Sequence, residues 1–367
     1  MRNNGWRKSL PIFLVLSSLM LGLPPSALSI DGKITLFSAT GAGTGIFQGT
    51  FAQSINADGA IAGFYRDANS VYHGFVRDRH GNFTSFDAPG AGTGTFLGTT
   101  PQSMNEEGAI TGIYFDANFI SHGFVRDKHG NVTSFDAPNP GCQGTTALSI
   151  NEEGAIAGFY GDVNCVVHGF VRDKLGNFTL FDAPGARFAT LARSINDEGV
   201  ITGYYDDASY VYHGFVRDKS GTVTSFDVPG ASTSSFRGTF AESINAEGAI
   251  AGHYEDANSA DHGFVRDKHG KVTSFDALGA TSGTFAQSMN KKGAIAGYYE
   301  DATFADHGFV RDKHGKVTSF DAVPGTSFTH ALSINDDGAM TGLYSDTNGV
   351  FYGFLRRTCK EDEGCRE

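Results

Sequence analysis

Aspartate and histidine recur along this chain six residues apart. Each aspartate follows a Tyr-x dipeptide, the first of which begins at Tyr65, and each histidine opens a His-Gly-Phe-Val-Arg-Asp stretch. The pairs are Asp67 and His73, Asp116 and His122, Asp162 and His168, Asp207 and His213, Asp256 and His262, Asp301 and His307, and a final Asp346 and Tyr352. A carboxylate beside an imidazole can orient the ring for acid/base chemistry, and an Asp-x-Asn/Ser/Thr loop offers oxygen ligands to a cation.

Repetition of the pair favours a structural role over a catalytic one. Asp and Asn are ordinary turn formers, and a catalytic site would need one copy that differs from the others. The loop lacks the Gly and final Glu of an EF-hand, and the chain has no Gly-x-Ser-x-Gly, His-Glu-x-x-His or phosphate-loop motif. The Arg-Asp that ends the same stretch, Arg77 and Asp78 in the first copy, is expected to make turn-capping or inter-repeat hydrogen bonds. We therefore assign no catalytic residue and expect no metal and no cofactor.

The elements that position these residues form a motif of about 45 to 49 residues that occurs seven times. The first of its four phrases, Ser-Ile-Asn or Ser-Met-Asn, begins at Ser54, Ser103, Ser149, Ser194, Ser243, Ser288 and Ser333. The second, Gly-Ala-Ile-Ala-Gly-x-Tyr-like, ends at Tyr65, Tyr114, Tyr160, Tyr205, Tyr254, Tyr299 and Tyr344. The third begins at the repeated His or at Tyr352. The fourth, Thr-x-Phe-Asp-Ala-like, has its Phe at Phe86, Phe135, Phe181, Phe226, Phe275 and Phe320.

Each phrase is predicted to be a strand of about five to eight residues, because it is short and rich in Val, Ile, Phe, Tyr and Thr. Connectors such as residues 56–59 and 78–81 put Asn or Asp first and Gly fourth, which is typical of a hairpin turn with a left-handed glycine. Both faces of the strands are largely apolar, so each sheet must be covered on both sides. The pattern predicts an all-β fold, a seven-bladed β-propeller of four-stranded antiparallel blades.

The two ends of the chain predict how the propeller closes. The seventh repeat stops after its third strand, near Arg357, whereas residues 33–38 match a fourth phrase that has no first three before it. We expect this strand, roughly Ile34 to Phe37, to pair beside the strand that carries Phe354 and complete the seventh blade, which leaves no open edge. The propeller is assigned to residues 30–358 and a polar tail to 359–367. The predicted blades span approximately residues 47–90, 96–138, 142–185, 189–230, 236–279, 282–324 and 327–357.

The Ile-Asn-x-x-Gly and His-Gly-Phe elements resemble the bacterial extracellular HAF-type repeat family, in which Ile-Asn-x-x-Gly and a later His-Ala-Phe recur. The resemblance covers nearly all of the chain after its first 29 residues. This sequence departs from the family by having Gly where Ala is usual in His-x-Phe, and Phe-Asp-Ala-Pro-Gly in place of an Asp-Leu-Gly-like ending. The resemblance implies export and a propeller, and it implies no established activity.

Residues 1–29 have the three parts of a secretory signal peptide: a basic start with Arg2, Arg7 and Lys8, an apolar run from Leu10 to Leu23, and a small-residue end. We expect a secreted protein, extracellular or periplasmic. Removal of those three positive charges from a chain of net charge −12 leaves −15. An acidic surface repels phosphate backbones and anionic lipids, so we expect no nucleic-acid partner and no membrane insertion. The expected state is a monomer with an unknown extracellular ligand.

Four cysteines, Cys142, Cys165, Cys359 and Cys365, indicate two disulfides in an oxidising compartment, with three connectivities. The local pairs are favoured, Cys142 with Cys165 and Cys359 with Cys365. Cys142 and Cys165 fall in loops that should lie on one face of the same blade.

Differences in length between the repeats locate the predicted ligand face. From the first-phrase Ser to the third-phrase His or Tyr is always 19 residues, whereas the distances from the fourth-phrase Phe to the next Ser are 17, 17, 14, 13, 17, 13 and 13 residues. The variable loop and the Asp-containing loop should emerge on one face, where we expect any ligand. The predicted binding residues are Tyr65, the six Asp–His pairs, and Arg187, Arg237 and His330, which depart from the repeat. Arg193, His253 and Tyr352 also depart from it.

Three functions are compatible with this sequence. The favoured one is a non-enzymatic binding or scaffold module for an extracellular glycan, polymer or protein, because near-identical blades offer several equivalent shallow sites. An extracellular polymer-acting lyase or hydrolase would instead need one cluster of unique polar residues at the channel mouth. A purely structural envelope-associated module would show neither arrangement.

Overall fold

The structure is a computed structural model, and it describes residues 32–141 and 143–358. Within these ranges every regular element is a β-strand, so no described helix is long and apolar enough to cross a membrane. The predicted signal peptide, the polar tail and Cys142 lie outside the described residues.

Twenty-eight strands follow one another in the described chain, and we group them into seven units by their pairing. The first strand is β1 (Lys33–Phe37). Unit 1 contains β2 (Gly49–Ile55), β3 (Ile61–Arg66), β4 (Tyr72–Arg77) and β5 (Phe83–Phe86), and unit 2 contains β6 (Gly98–Met104), β7 (Ile110–Phe115), β8 (Ser121–Arg126) and β9 (Val132–Phe135). Unit 3 contains β10 (Thr145–Ile150), β11 (Ile156–Gly161), β12 (Val167–Arg172) and β13 (Phe178–Phe181). Unit 4 contains β14 (Thr190–Ile195), β15 (Ile201–Asp206), β16 (Tyr212–Arg217) and β17 (Val223–Phe226). Unit 5 contains β18 (Thr239–Ile244), β19 (Ile250–Glu255), β20 (Asp261–Arg266) and β21 (Val272–Phe275), and unit 6 contains β22 (Gly283–Met289), β23 (Ile295–Glu300), β24 (Asp306–Arg311) and β25 (Val317–Phe320). Unit 7 contains β26 (Thr329–Ile334), β27 (Met340–Ser345) and β28 (Phe351–Arg357).

Within each unit the strands pair antiparallel with their sequence neighbours and form a meander, as β2 to β5 do. Unit 7 has only three consecutive strands, and β1 supplies its fourth. β1 pairs antiparallel with β28 and places Leu36 opposite Phe354. The N-terminal strand therefore lies where the sequence predicts, although it ends at Phe37 and not at residue 38.

The fourth strands are shorter than predicted, with four residues in β5, for example. Each ends because a main-chain N–H two residues after its Phe leaves the sheet and donates to a threonine of the next unit. Ala88 N–H donates to Thr99 Oγ1 at 2.9 Å, and Ala39 N–H donates to Thr50 Oγ1 at 2.8 Å. Both threonines are buried, so the bond directs the chain from one unit into the next.

The hydrophobic core lies between the units. The Phe of every His-Gly-Phe or Tyr-Gly-Phe stretch is fully buried, and burial of such a ring contributes about 2 to 3 kcal/mol. These residues are Phe75, Phe124, Phe170, Phe215, Phe264, Phe309 and Phe354. The cluster around Phe124 includes Ala62 of the preceding unit, so each unit covers a face of its neighbour.

Glycine in the His-Gly-Phe stretch has a steric cause. A Cβ atom on Gly74 would lie 2.9 Å from the Phe86 ring, which packs over the third strand of the same unit. The departure from the Ala of HAF-type repeats thus makes room for the fourth-strand phenylalanine. In unit 7, Gly353 lies beneath Phe37 in the same way.

Side-chain contacts connect each unit to the next. Ser54 Oγ accepts the Met104 N–H at 3.1 Å, and the guanidinium of Arg126 lies over the Phe86 ring at 5.1 Å from its centroid. Arginine therefore stacks between units, and it also makes the expected turn hydrogen bond at long distance, as from Arg172 Nη1 to Asp173 O at 3.3 Å. Asp78 makes the turn-capping hydrogen bonds expected from the sequence, since its Oδ1 accepts the N–H groups of His80 and Asn82.

The same contacts join unit 7 to unit 1. Ser333 Oγ accepts the Ile55 N–H at 3.2 Å, and Arg77 lies 4.9 Å from the Phe37 centroid. Unlike these side-chain contacts, backbone pairing does not continue through all seven units, because the strands form four sheets of 12, 4, 4 and 8 strands. Where units merge into one sheet, a single parallel bridge joins them, as between Tyr72 and Gly98.

Candidate functional site

Two sets of loops lie together at one end of the units, and we call this end the variable-loop face. It comprises the loops between the second and third strands, which carry the repeated aspartates, and the loops of variable length between units. Phe96 N–H donates to Ser70 O at 2.8 Å and Gly92 N–H donates to Phe115 O at 2.8 Å, which fixes the two kinds of loop side by side.

The repeated aspartates close turns. Asp67 Oδ1 accepts the N–H groups of Asn69 at 2.9 Å and Val71 at 2.8 Å. The equivalent main-chain bond from Ile120 is the main cause that lowers the pKa of Asp116 below its ordinary value. These carboxylates are consequently occupied by their own loops, as turn formers.

Each repeated histidine lies between two aspartates. His73 Nδ1 is 3.0 Å from Asp87 Oδ2, its Nε2 is 3.8 Å from Asp67 Oδ2, and the Tyr65 ring stacks on it with centroids 5.0 Å apart. The same arrangement joins Asp116, His122 and Asp136; Asp162, His168 and Asp182; Asp207, His213 and Asp227; Asp256, His262 and Asp276; and Asp301, His307 and Asp321. In unit 7 Tyr352 replaces the histidine and donates its hydroxyl to Asp346 at 3.4 Å.

The second carboxylate of this arrangement was missed in the sequence. Its signal was present, because pairing of Gly74 with Phe86 in a hairpin places His73 opposite Asp87. His307 has the closest pair of partners, at 2.7 Å from Asp321 and 3.3 Å from Asp301. Burial opposes its protonation, but the hydrogen bonds and charges of these two carboxylates outweigh burial and raise the pKa of His307. Repetition in six units marks the arrangement as part of the scaffold.

Six aromatic residues of the variable-loop face have left-handed backbone, with φ between 60° and 66°, and are 40 to 79% exposed. They are Phe47, Phe96, Phe119, Tyr210, Phe236 and Phe304. A bulky residue in this region costs about 1 to 2 kcal/mol relative to ordinary backbone. None of them was predicted as a binding residue from the sequence, although three of them occupy a Gly/Ser-x-Phe-x-Gly pattern in the three 17-residue loops.

Some of these rings form a continuous strip between units 4 and 5. Phe188 stacks on Tyr210 with centroids 4.8 Å apart, and Tyr210 contacts Phe236 at 5.2 Å. The guanidinium of Arg187 lies 5.4 Å from the Phe188 centroid. Arg187, selected from the sequence as a departure from the repeat, therefore extends an aromatic surface.

The other departures from the repeat pair with carboxylates in units 4 to 7. Arg193 Nε is 2.8 Å from Glu242 Oε2, Arg237 Nε is 3.1 Å from Glu255 Oε1, and His330 Nε2 is 2.8 Å from Asp306 Oδ2. The attraction of Glu242 raises the pKa of Arg193. Arg193 and His330 thus sit in satisfied pairs on first strands, while Arg187 and Arg237 lie in loops between units.

Buried titratable groups accompany these pairs. Burial lowers the pKa of His253 to about 4, raises the pKa of Tyr204 to about 12 and, together with the Glu255 charge, raises the pKa of Asp261 to about 6. His253 stacks on Phe240 with centroids 4.8 Å apart. In the described part of the chain, no group of three or more His, Cys, Asp and Glu residues has the geometry to hold a metal ion.

At the opposite end of the units, asparagines of the Ser-Ile/Met-Asn phrase surround the axis. Asn105 Nδ2 donates to Asn151 O at 3.1 Å, and its Oδ1 accepts the Ala109 N–H of its own turn. Next to them lies a cavity of about 160 Å³ lined by Glu106, Lys291 and other charged residues. Burial and the nearby Glu152 charge raise the pKa of Glu106. No residue at this end was predicted as a binding residue from the sequence.

The disulfide predicted between Cys142 and Cys165 stays a prediction, since Cys142 lies outside the described residues. Gly141 N–H donates to Gly161 O at 2.6 Å, next to the Asp162 loop in which Cys165 has a φ of 63°. The pair Cys359 and Cys365 also lies outside the described residues.

No family model matches the chain, and no curated protein matches it in sequence. It is similar in structure to a streptogramin B lyase, with a TM-score of 0.59, 12% identity and coverage of 90% of this chain and 99% of that chain. It is also similar to a catalytically inactive virginiamycin B lyase from Staphylococcus aureus with quinupristin, with a TM-score of 0.56, 11% identity and coverage of 88% and 99%. These proteins are β-propellers, and at this identity the likeness defines the fold alone. The chain is thus an all-β protein with a β-propeller fold.

Proposed function

We propose that this chain is a secreted, seven-bladed β-propeller that binds a carbohydrate polymer at its variable-loop face and catalyses no reaction. The observation that carries this proposal is the set of six exposed aromatic residues on left-handed backbone, all on one face. Gly or Asn would fit such backbone with less strain, and strained residues cluster at binding and functional sites.

Aromatic side chains suit carbohydrate because one face of a sugar ring presents C–H groups that pack on a flat apolar ring. The hydroxyl groups around the sugar then need polar partners. The same loops carry amide groups that can supply them, since Gln48 follows the exposed Phe47 and Asn69 is exposed in the Asp67 loop. Platforms on several units would contact successive sugars of one polymer, and multivalency strengthens weak single contacts.

Two observations support seven blades in a closed ring. A cavity of about 170 Å³ is lined by one side chain from each unit, at the position before the first-phrase serine. These residues are Gln53, Gln102, Leu148, Arg193, Glu242, Gln287 and Leu332. The bond from Ile55 N–H to Ser333 Oγ repeats between the last and first units the contact made by the other neighbours.

Secretion is supported by the signal-like residues 1–29 and by the resemblance to HAF-type repeats. The surplus of acidic residues disfavours nucleic acid, whose phosphate backbone is itself negatively charged. The absence of catalysis is supported by the pairing of Arg193 with Glu242 and of His330 with Asp306. Groups held in such pairs are stabilised in one protonation state, which disfavours proton transfer to or from a substrate.

A panel of soluble neutral polysaccharides tests the proposal by affinity electrophoresis and calorimetry with the secreted protein. The variant Phe236→Ser with Phe304→Ser removes both rings, and serine occupies the left-handed sites equivalent to Phe304, which are Ser70 and Ser259. Loss of the two platforms is expected to weaken binding about tenfold or more. Leu175→Ser removes an exposed apolar side chain from a turn between third and fourth strands and serves as the matched control.

Unchanged binding in the double serine variant, or no binding of any polysaccharide by the natural protein, would contradict the proposal. Incubation with the same polymers also tests the alternatives. New reducing ends or unsaturated sugars would identify a lyase or hydrolase, and no interaction at all would favour a structural envelope module.

A further inference from the structure

The last residue of the second strand varies in charge and size between units. Unit 1 has Arg66 at this position, and the equivalents in the other units are Phe115, Gly161, Asp206, Glu255, Glu300 and Ser345. Arg66 is thus the one cation of this set, on a chain with a large surplus of acidic residues. The position lies on the variable-loop face, where the second strand enters the Asp67 loop.

Arg66 lines a cavity of about 380 Å³ between units 7, 1 and 2. The walls are mostly aromatic: Phe64 stacks on Phe51 with centroids 4.8 Å apart, and Phe351 contacts Phe51 at 4.9 Å. Phe47 is exposed at the rim, and Thr100 and Gln102 add polar groups. A concave site with apolar walls and a few polar groups has the usual features of a small-ligand pocket, and its volume is at the lower end of the usual range.

The Arg66 guanidinium keeps donors that its own loops do not use. One Nη1–H donates to Phe47 O at 2.6 Å, and the group lies 4.7 Å from the Phe96 centroid. Nε has no hydrogen-bond partner among the described residues. Arg237, by contrast, is held by Glu255 on the same face. Because Nε is buried and one Nη1–H is used, the other Nη1–H and the two Nη2–H groups are the donors that remain for a ligand.

The pocket is the locally positive part of an acidic face. Arg66 is the one charged residue in its lining. The acidic equivalents at the same repeat position, Asp206, Glu255 and Glu300, belong to units 4 to 6. Charges beyond the lining act through solvent and are screened by salt, so Arg66 is the charged group that a ligand in the pocket contacts directly.

We infer that this pocket binds a ring-shaped ligand that carries a carboxylate, with the ring against Phe51 and Phe64 and the carboxylate on Arg66. Arginine suits this task because its planar fork forms charge-assisted hydrogen bonds to a carboxylate. The inference rests on the proposed function, since it makes acidic sugars the preferred components of the bound polymer. An aromatic acid presents the same chemistry.

Galacturonic acid oligomers and their methyl esters test the inference with the secreted protein. The ester keeps the sugar rings and removes the charge, so affinity for the ester should be lower by about tenfold or more. Arg66→Gln should reduce affinity for the acid by a similar factor and leave affinity for the ester unchanged. Arg79→Gln removes an exposed arginine from the Asp78 turn, away from the variable-loop face, and should change neither.

Benzoate distinguishes the sources of the carboxylate. If the oligomers bind through Arg66 and benzoate does not bind, the ligand is an acidic sugar. If benzoate binds through Arg66 and the oligomers do not bind, the ligand is an aromatic acid. Equal affinity for acid and ester, or equal affinity in Arg66→Gln and the natural protein, would overturn the inference. If neutral polysaccharides still bind through Phe236 and Phe304 in that case, the proposed function stands without the acidic specificity. Natural protein that binds none of these probes would contradict both.

Discussion

Asn335 donates its Nδ2–H to the main-chain oxygen of Asn56 at 2.9 Å, across 279 positions of the chain. The same bond joins Asn290 to Asn335 at 2.8 Å, so the contact between the last and first units is one member of a series. Asn335 Oδ1 accepts the Ala339 N–H of its own turn. One buried amide therefore stabilises a hairpin and holds it against its neighbour.

Replacement of this amide should destabilise the fold. Asn335→Ala leaves Ala339 N–H without its side-chain partner and Asn56 O with the Gly59 N–H alone, and the free energy of unfolding should fall by about 1 to 3 kcal/mol. Denaturant unfolding followed by circular dichroism measures it. Asn348→Ala, in an exposed loop, should cost less than about 0.5 kcal/mol. Comparable losses in the two variants would show that the asparagines do not hold the units together.

Removal of β1 should expose the edge of β28. A chain that begins at residue 40 lacks the pairing of Leu36 with Phe354 and the stacking of Phe37 on Arg77. We expect a melting temperature lower by about 5 °C or more than that of a chain beginning at residue 32, and a broader transition. A synthetic peptide of residues 32–39 should restore part of the loss. Identical melting curves would refute closure by this strand.

Acid should destabilise the protein through His253. Burial lowers the pKa of this histidine to about 4 from an ordinary 6.5, so the unfolded chain takes up its proton first. Stability should therefore fall as pH decreases from about 6.5 to about 4, by at most about 3 kcal/mol from this residue. His253→Phe introduces the residue found at Phe64 and Phe159, and should flatten the dependence measured by unfolding at pH 7 and pH 4.5.

His80→Gln provides the control for acid sensitivity, because His80 lies in an exposed turn. Its pH dependence should match that of the natural protein. An unchanged pH dependence in His253→Phe would mean that His253 is solvated in the folded state.

Exposed aromatic residues on left-handed backbone should lower the stability of the fold and strengthen ligand binding. Phe304 is 79% exposed at a φ of 63°, and asparagine tolerates this region better. Phe304→Asn should raise the free energy of unfolding by about 0.5 kcal/mol and weaken polysaccharide binding. Ser259→Asn makes the same backbone change at the equivalent position of unit 5 without removing a ring, and should leave binding unchanged. Weaker binding in both variants would assign the effect to the loop and not to the ring.

Much of the fold could be predicted because its defining contacts are short in sequence. The hairpin from Asp78 to Asn82 follows from the order of turn residues, and the fourth strand of unit 7 follows from the match of residues 33–38 to a phrase without predecessors. Even the missed bond from His73 to Asp87 was available from the register of one hairpin. The chemistry of Asp67 was also correctly interpreted as that of a turn.

By itself the sequence determined the repeat, the strands, the turns and the strand that completes unit 7, because these depend on neighbours along the chain and on a periodic pattern. Only the tertiary structure decided which residues form sites. The left-handed backbone of Phe236 and the stacking of Arg126 on Phe86 are set by packing between units. The pocket at Arg66 combines residues from units 7, 1 and 2. Such contacts join residues about one repeat or nearly the whole chain apart, and no local pattern of residue types specifies which of them meet.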